Sequence, residues 1–166
     1  DGEIITTNDW TLTALHTPGH IGNHLSLIWG DAVFSGDHVM GWASSLVSPP
    51  DGDLTDFMTS CAKLHALNSR ILYPAHGAPI TAPNARIDWL TNHRLTREAQ
   101  VLKALLRGPK TTAKITSEIY TDIDPALLAA AERNVFAHLV DLHQRAKITA
   151  TPTLSTDAKF NPSEEN

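Results

Sequence analysis

The chain has one cysteine, Cys61, in 166 residues, which excludes an intramolecular disulfide framework. Cys61 falls among Phe57, Met58 and Leu64 at helical spacing and reads as a small buried hydrophobe. Long apolar runs are also missing. Leu25–Trp29 and Ala126–Ala131 stop far short of the ~20 residues that span a bilayer, so no membrane segment is expected. No basic-then-apolar leader precedes the first strand, and with the lone thiol this points to the cytoplasm. Basic residues are scarce in the first half: positions 1–91 hold only Lys63, Arg70 and Arg86 against nine Asp and Glu. Positions 92–150 hold nine Lys and Arg against six acids, so the halves read as different modules. A net charge of −5 argues against whole-molecule attraction to nucleic acid, while a local basic face in the second half stays open. The initiator methionine is missing too. The chain starts at Asp1 and runs at once into strand-like sequence, so an upstream segment is expected.

What is present is strand pattern followed by helix pattern. Strands are expected at Ile4–Thr7, Trp10–His16, His24–Trp29 and Ala32–Phe34, with Gly30-Asp31 as the tight turn of a hairpin. Thr17-Pro18-Gly19 ends the second strand and delivers His20 on a loop. Asp53 is a candidate N-cap for an amphipathic helix through Leu54, Phe57, Cys61, Leu64 and Leu67. Ile71–Tyr73 reads as a short buried strand, and Pro74–Gly77 as a second strand-end loop, carrying His76. From Pro83 onward the period is helical: about Asn84 to Arg107, stopped by Gly108-Pro109, then Thr112 to Tyr120, then a helix opening at Asp124-Pro125. "AKITATP" reads as a small strand or wing.

Three strand ends therefore each carry a potential metal ligand: His20, Asp37 and His76. Imidazole nitrogen and carboxylate oxygen suit a divalent metal, and rigid strand-end loops suit a catalytic site that keeps a position open for water. The other histidines carry less chemistry. His16, His65, His93, His138 and His143 are read as structural.

"HTPGH", "SGD" and "PAHG", in this order, resemble the third, fourth and fifth metal motifs of the metallo-beta-lactamase superfamily. The resemblance implies that His20 ligates a first metal, Asp37 bridges two metals and orients the nucleophile, and His76 ligates the second. The implied cofactor is zinc, two in the complete enzyme, with iron or manganese as alternatives. The implied reaction is attack of metal-activated hydroxide on an ester, thioester, amide or phosphodiester of a small-molecule substrate. His24 matches a residue that packs or hydrogen-bonds in the family without ligating. His38 is a substrate-side candidate, with a solvated loop position as the alternative. "GDHVMGWASSLVSPPDGD" resembles the substrate-side loop of glyoxalase-two-type hydrolases. "HRLTREAQVLKALLRGPKTTAKITSEIY" and the helix after it resemble the small winged-helix domain that closes one branch of the superfamily.

The fold class expected is α+β: the second half of an αββα metallo-beta-lactamase sandwich over residues 1–82, a small helical winged-helix domain over 83–150, and a flexible tail over 151–166. The superfamily's His-x-His-x-Asp-His motif, which supplies the remaining ligands, is absent from the 166 residues. One sheet face should then expose more apolar area than a soluble monomer normally shows. It calls for a covering partner, either the missing N-terminal half or a second copy in a homo-oligomer. The chain alone is expected to be inactive or weakly active, and a natural pseudo-enzyme is the further alternative. Lys103, Arg107, Lys110 and Lys114 suggest a second function, nucleic-acid binding or nuclease action through the winged helix. It is not favoured, because "TTAKITSEIYTD" is poor in side chains that read bases.

Overall fold

The computed structural model describes residues 1–163. The chain divides into two compact units, Asp1–Asn92 and His93–Asn166. In the first, β1 (Ile4–Thr6), β2 (Thr11–His16), β3 (Leu25–Trp29) and β4 (Ala32–Gly36) form an antiparallel meander. The helix α1 (Leu54–Ala66) then carries the chain to β5 (Ile71–Pro74), which pairs parallel with β4. The strand order is β1-β2-β3-β4-β5.

This topology settles where the strand-end loops lie. β2 and β4 both run antiparallel to β3, and β5 runs parallel to β4. The C-terminal ends of β2, β4 and β5 therefore open on one edge of the sheet, and the residues just beyond them are brought to that edge.

The helix α1 forms because Asp53 caps it, its side chain accepting from the Asp56 amide at 2.9 Å, and because Leu54, Phe57, Cys61 and Leu64 repeat on one buried stripe. Burial alternates along β4: Val33 and Ser35 are interior, while Phe34 is exposed. Phe34 stacks on Trp29 at 6.3 Å and lies 5.5 Å from Tyr73. Together with Leu25, Trp29 and Phe34 leave exposed apolar side chains on the sheet.

The helix α2 (Pro83–Leu105) opens in the first unit and continues into the second. The second unit adds α3 (Thr112–Ile119), capped by Thr111, then a 3-10 turn at Pro125–Leu127 leading into α4 (Leu128–Gln144). A hairpin of β6 (Ile148–Thr151) and β7 (Lys159–Pro162) closes it. Val101, Leu105, Ile115, Leu139, Leu142, Ile148 and Phe160 form its core.

Two expected boundaries need correction. The division falls after Asn92, ten residues beyond the expected 82/83. The first turns of α2 belong to the sheet-bearing unit, where Ile87 and Leu90 are buried and Arg86 bonds to the carbonyls of Met40 and Ala43. The expected flexible tail over 151–166 also needs correction where it holds β7 (Lys159–Pro162). Phe160 is fully buried, and its backbone exchanges two hydrogen bonds with Lys110 (3.1 and 2.9 Å). One large apolar side chain anchors a segment otherwise polar enough to look unstructured. The last three positions of that expected tail, 164–166, lie outside the described residues. No helix among the described residues is long and apolar enough to cross a membrane.

Candidate functional site

The loop after β2 is pinned to the start of α1. Ser60 Oγ donates to the Pro18 carbonyl at 2.7 Å, and the Asp53 amide donates to the Gly19 carbonyl at 3.0 Å. Gly19 sits at φ +135°, and a side chain there would run into the Phe57 backbone, so only glycine closes this approach. His20 follows directly. Its Nδ1–H donates to the Leu46 carbonyl at 2.6 Å, which leaves the lone pair on Nε2. A backbone carbonyl fixing the tautomer in this way is the usual outer support of a metal-ligating histidine.

The loops after β4 and β5 meet. The Ala75 amide donates to the Gly36 carbonyl at 3.0 Å. One residue further on in each strand direction, His76 Nδ1–H donates to Asp37 Oδ1 at 2.7 Å. The His76 side chain is mostly exposed and that of Asp37 about a third exposed, so both remain accessible. Here too the ring keeps its lone pair on Nε2.

His24 lies beneath. Its ring bonds to Thr17 Oγ1 at 2.9 Å, and Thr17 bonds to Ser26 at 2.8 Å, all buried. Nε2 of His24 lies against Gly36, leaving no room for a Cβ there. Burial lowers the His24 pKa, His20 adds to this, and Asp37 opposes it. His24 therefore has the packing and hydrogen-bonding role that the sequence predicts.

His38 does not stand at the substrate side. It is fully buried, stacked on Phe57 at 4.5 Å, with Nε2 3.7 Å from Cys61 Sγ. The turn after Asp37, held by the His38 amide on the Ser35 carbonyl at 3.1 Å, sends the ring inward. Cys61 is buried as expected. Of the histidines read as structural, His16 donates to the Gly22 carbonyl, His143 to the Ile148 carbonyl, and His65 pairs with exposed Asp88.

Two imidazoles with free Nε2 lone pairs and one carboxylate suit a divalent metal in kind. In number they do not close a shell. Among the described residues, no group of three or more His, Cys, Asp and Glu could hold a metal ion. The edge presents a joined Asp37–His76 pair with His20 beside His24, whose ring centroid lies 6.5 Å from that of His20.

The sequence reading missed one further feature on this edge. Trp42, Ile80, Arg86 and Trp89 line an open groove of about 740 Å³. Arg86 and Trp89, three apart at the start of a helix, were the available signal.

Comparison with known proteins agrees with this architecture. Residues 111–154 match the beta-lactamase associated winged helix domain. The chain is 34% identical over 138 residues to a beta-lactamase-like protein 2 homolog of Caenorhabditis elegans, covering 81% of this chain and 45% of the relative. It is 36% identical over 107 residues to an atrochrysone carboxyl ACP thioesterase of Aspergillus chevalieri, covering 63% of this chain and 33% of the relative. The chain thus spans less than half the length of these two relatives. In structure it resembles a metallo-beta-lactamase family protein of Thermus thermophilus, with a TM-score of 0.83 and 24% identity over 98% of this chain and 52% of the other. The chain belongs to the metallo-beta-lactamase superfamily, a hydrolase-type family. Within it, this is a member that carries the C-terminal winged helix.

Proposed function

We propose that His20, Asp37 and His76 are part of the metal site of a hydrolase acting on thioesters, with the remaining ligands supplied from outside the 166 residues. The observation that carries this reading is the shared sheet edge. Three metal-competent side chains leave three co-directional strands there, with both histidine tautomers set by hydrogen bonds through Nδ1. Thioesters are preferred over other acyl and phosphoryl substrates because a relative over 107 residues is a thioesterase by name.

His20, Asp37 and His76 would supply part of the shell around zinc, with iron or manganese as alternatives, the remaining ligands coming from outside the 166 residues. A divalent metal bound there supplies Lewis acidity and makes hydroxide available near neutral pH. The chain's own residues do the positioning. Leu46 and Asp37 fix the two imidazoles, Thr17 and His24 support the floor, and Asp37 is the group that orients a nucleophile. The open face of Leu25, Trp29 and Phe34 is the surface that the complementary half covers, and a second copy of the chain is the alternative occupant. The chain alone is inactive or weakly active on this reading. A single buried cysteine, Cys61, fits a cytoplasmic location.

Nucleic-acid binding through the winged unit is weaker. Glu118 engages Lys110 at 2.9 Å and Lys114 at 3.8 Å, removing two of four cations from a phosphate-facing role. A salt-dependent shift assay with single-stranded RNA and duplex DNA tests it.

The hydrolase reading is tested by zinc stoichiometry and thioester turnover of the chain, with and without a polypeptide carrying a His-x-His-x-Asp-His half. Turnover and full metal loading only in the mixture support it. Full turnover by the chain alone refutes the shared site.

A further inference from the structure

One stripe of α2 carries three hydrogen-bond donors into the same pocket. Gln100, Lys103 and Arg107, with Ala104, Glu118 and Ile119, line a pocket of about 230 Å³ between the C-terminal part of α2 and the end of α3. All six residues belong to the second unit. A helix brings residues three, four and seven apart onto one face, so the spacing of Gln100, Lys103, Ala104 and Arg107 sets these groups side by side.

The cations around Glu118 divide into two kinds. Lys110 donates to Glu118 Oε2 at 2.9 Å and to the Ala104 carbonyl at 2.6 Å, and Lys114 approaches Glu118 Oε1 at 3.8 Å. The hydrogen bond from Lys110 holds the Glu118 carboxyl below the usual carboxylate range, so this carboxylate is ionised and already matched. Lys103 and Arg107 are exposed, and among the described residues neither side chain has a hydrogen-bond or ion-pair partner. Gln100 is held from behind. Arg97, 4.2 Å from the Tyr120 ring centroid, donates through Nη1 to Gln100 Oε1 at 2.7 Å, which leaves the amide N–H donors of Gln100 for the pocket.

We propose that this pocket binds a small phosphomonoester with a compact apolar body. A phosphomonoester is close to a dianion at neutral pH and offers three strong acceptor oxygens, which match a guanidinium, an ammonium and an amide on one helix face. A carboxylate offers fewer oxygens and less charge. Ala104 and Ile119 supply the apolar wall against the body of the ligand. Two uncommitted cations are too few for the extended phosphate track of a nucleic-acid strand, yet they suffice for one terminal phosphate. The pocket lies wholly in the second unit, so its ligand does not depend on the metal edge or on the hydrolase reading.

The test is isothermal titration of the chain with phenyl phosphate at low salt and about pH 7.5, where a phosphomonoester is largely dianionic. Benzoate, inorganic phosphate and an unphosphorylated oligouridylate RNA are the comparison ligands. Phenyl phosphate should bind, with benzoate and inorganic phosphate each weaker by at least about fivefold. Lys103→Gln and Arg107→Gln should each weaken phenyl phosphate by about tenfold. Lys147→Gln removes the same charge elsewhere in the second unit and should change the affinity by less than about twofold. Circular dichroism confirms that each variant is folded. Undetectable phenyl phosphate binding, equal binding of benzoate, or a loss in Lys147→Gln as large as in Lys103→Gln and Arg107→Gln overturns the proposal. Equal binding of inorganic phosphate would mean an adventitious ion only and overturns it too. Tighter binding of the RNA, weakened in the same variants, would assign these cations to a nucleic-acid strand and overturn it as well.

Discussion

His76 donates through Nδ1 to Oδ1 of Asp37 at 2.7 Å, one residue beyond the backbone bond from the Ala75 amide to the Gly36 carbonyl. The parallel pair β4–β5 is thus extended by side chains past the end of its ladder. Such a partly solvated pair contributes only about 0–1 kcal/mol to stability. Asp37→Ala and His76→Ala are each expected to leave the melting temperature nearly unchanged. Both should weaken zinc binding by the complemented protein by at least about tenfold. Differential scanning calorimetry and zinc titration separate the two effects, and a large loss of stability with unchanged zinc affinity would assign the pair a purely structural role.

Gly19 is held at φ +135° against the Phe57 backbone. Gly19→Ala combines backbone strain with a steric clash and is expected to cost about 1–3 kcal/mol. Denaturant unfolding of the first unit checks this, and an unchanged midpoint would show that the loop and α1 separate without cost.

His138 provides the pH dependence. It is buried, neither ring nitrogen has a hydrogen-bond partner, and its pKa is lowered to about 3. Burial is the main cause; the neighbouring charges of Arg94, His93, Arg145 and Arg97 add to it. Between the unfolded value of 6.5 and about 3, the unfolded chain binds a proton that the folded chain does not. Stability therefore falls as pH drops through that window, by at most about 1.4 kcal/mol per pH unit. Hydrogen exchange of α4 amides from pH 7 to 4 should show this slope, and His138→Leu should flatten it. An equal slope in the variant would place the titration elsewhere.

Phe160 anchors β7 in the core of the second unit. Phe160→Ala is expected to cost about 3–5 kcal/mol and to expose β6 and β7 to exchange, while strands β1–β5 keep their protection. Residue-resolved hydrogen exchange checks both halves of this statement.

The strand ends and helices were legible because their signals are local. Pro18-Gly19, Gly30-Asp31 and Asp53 each act through backbone geometry or a cap within a few residues. Three features were not legible, because each depends on distant contacts. Phe160 gains its burial from a core that includes Val101, Leu105 and Ile115, all distant in sequence, so its polar surroundings read as a tail. His38 is turned inward against Phe57 and Cys61, which adjacency to Asp37 does not reveal. The groove needs Arg86 to reach the Met40 and Ala43 carbonyls, joining Trp42 to Trp89. The boundary at 82/83 failed for the same reason, since helical period marks where α2 starts but not which core its first turns join.

The central claim is that Asp37 belongs to a metal-dependent hydrolytic site shared between this chain and a complementary half. The most direct measurement is thioester hydrolysis by the zinc-loaded, complemented protein, comparing wild type with Asp37→Ala at equal thermal stability. The expected result is a loss of at least about a hundredfold in kcat/KM, or about 2.7 kcal/mol. Hydrolysis by Asp37→Ala at the wild-type rate would contradict the claim.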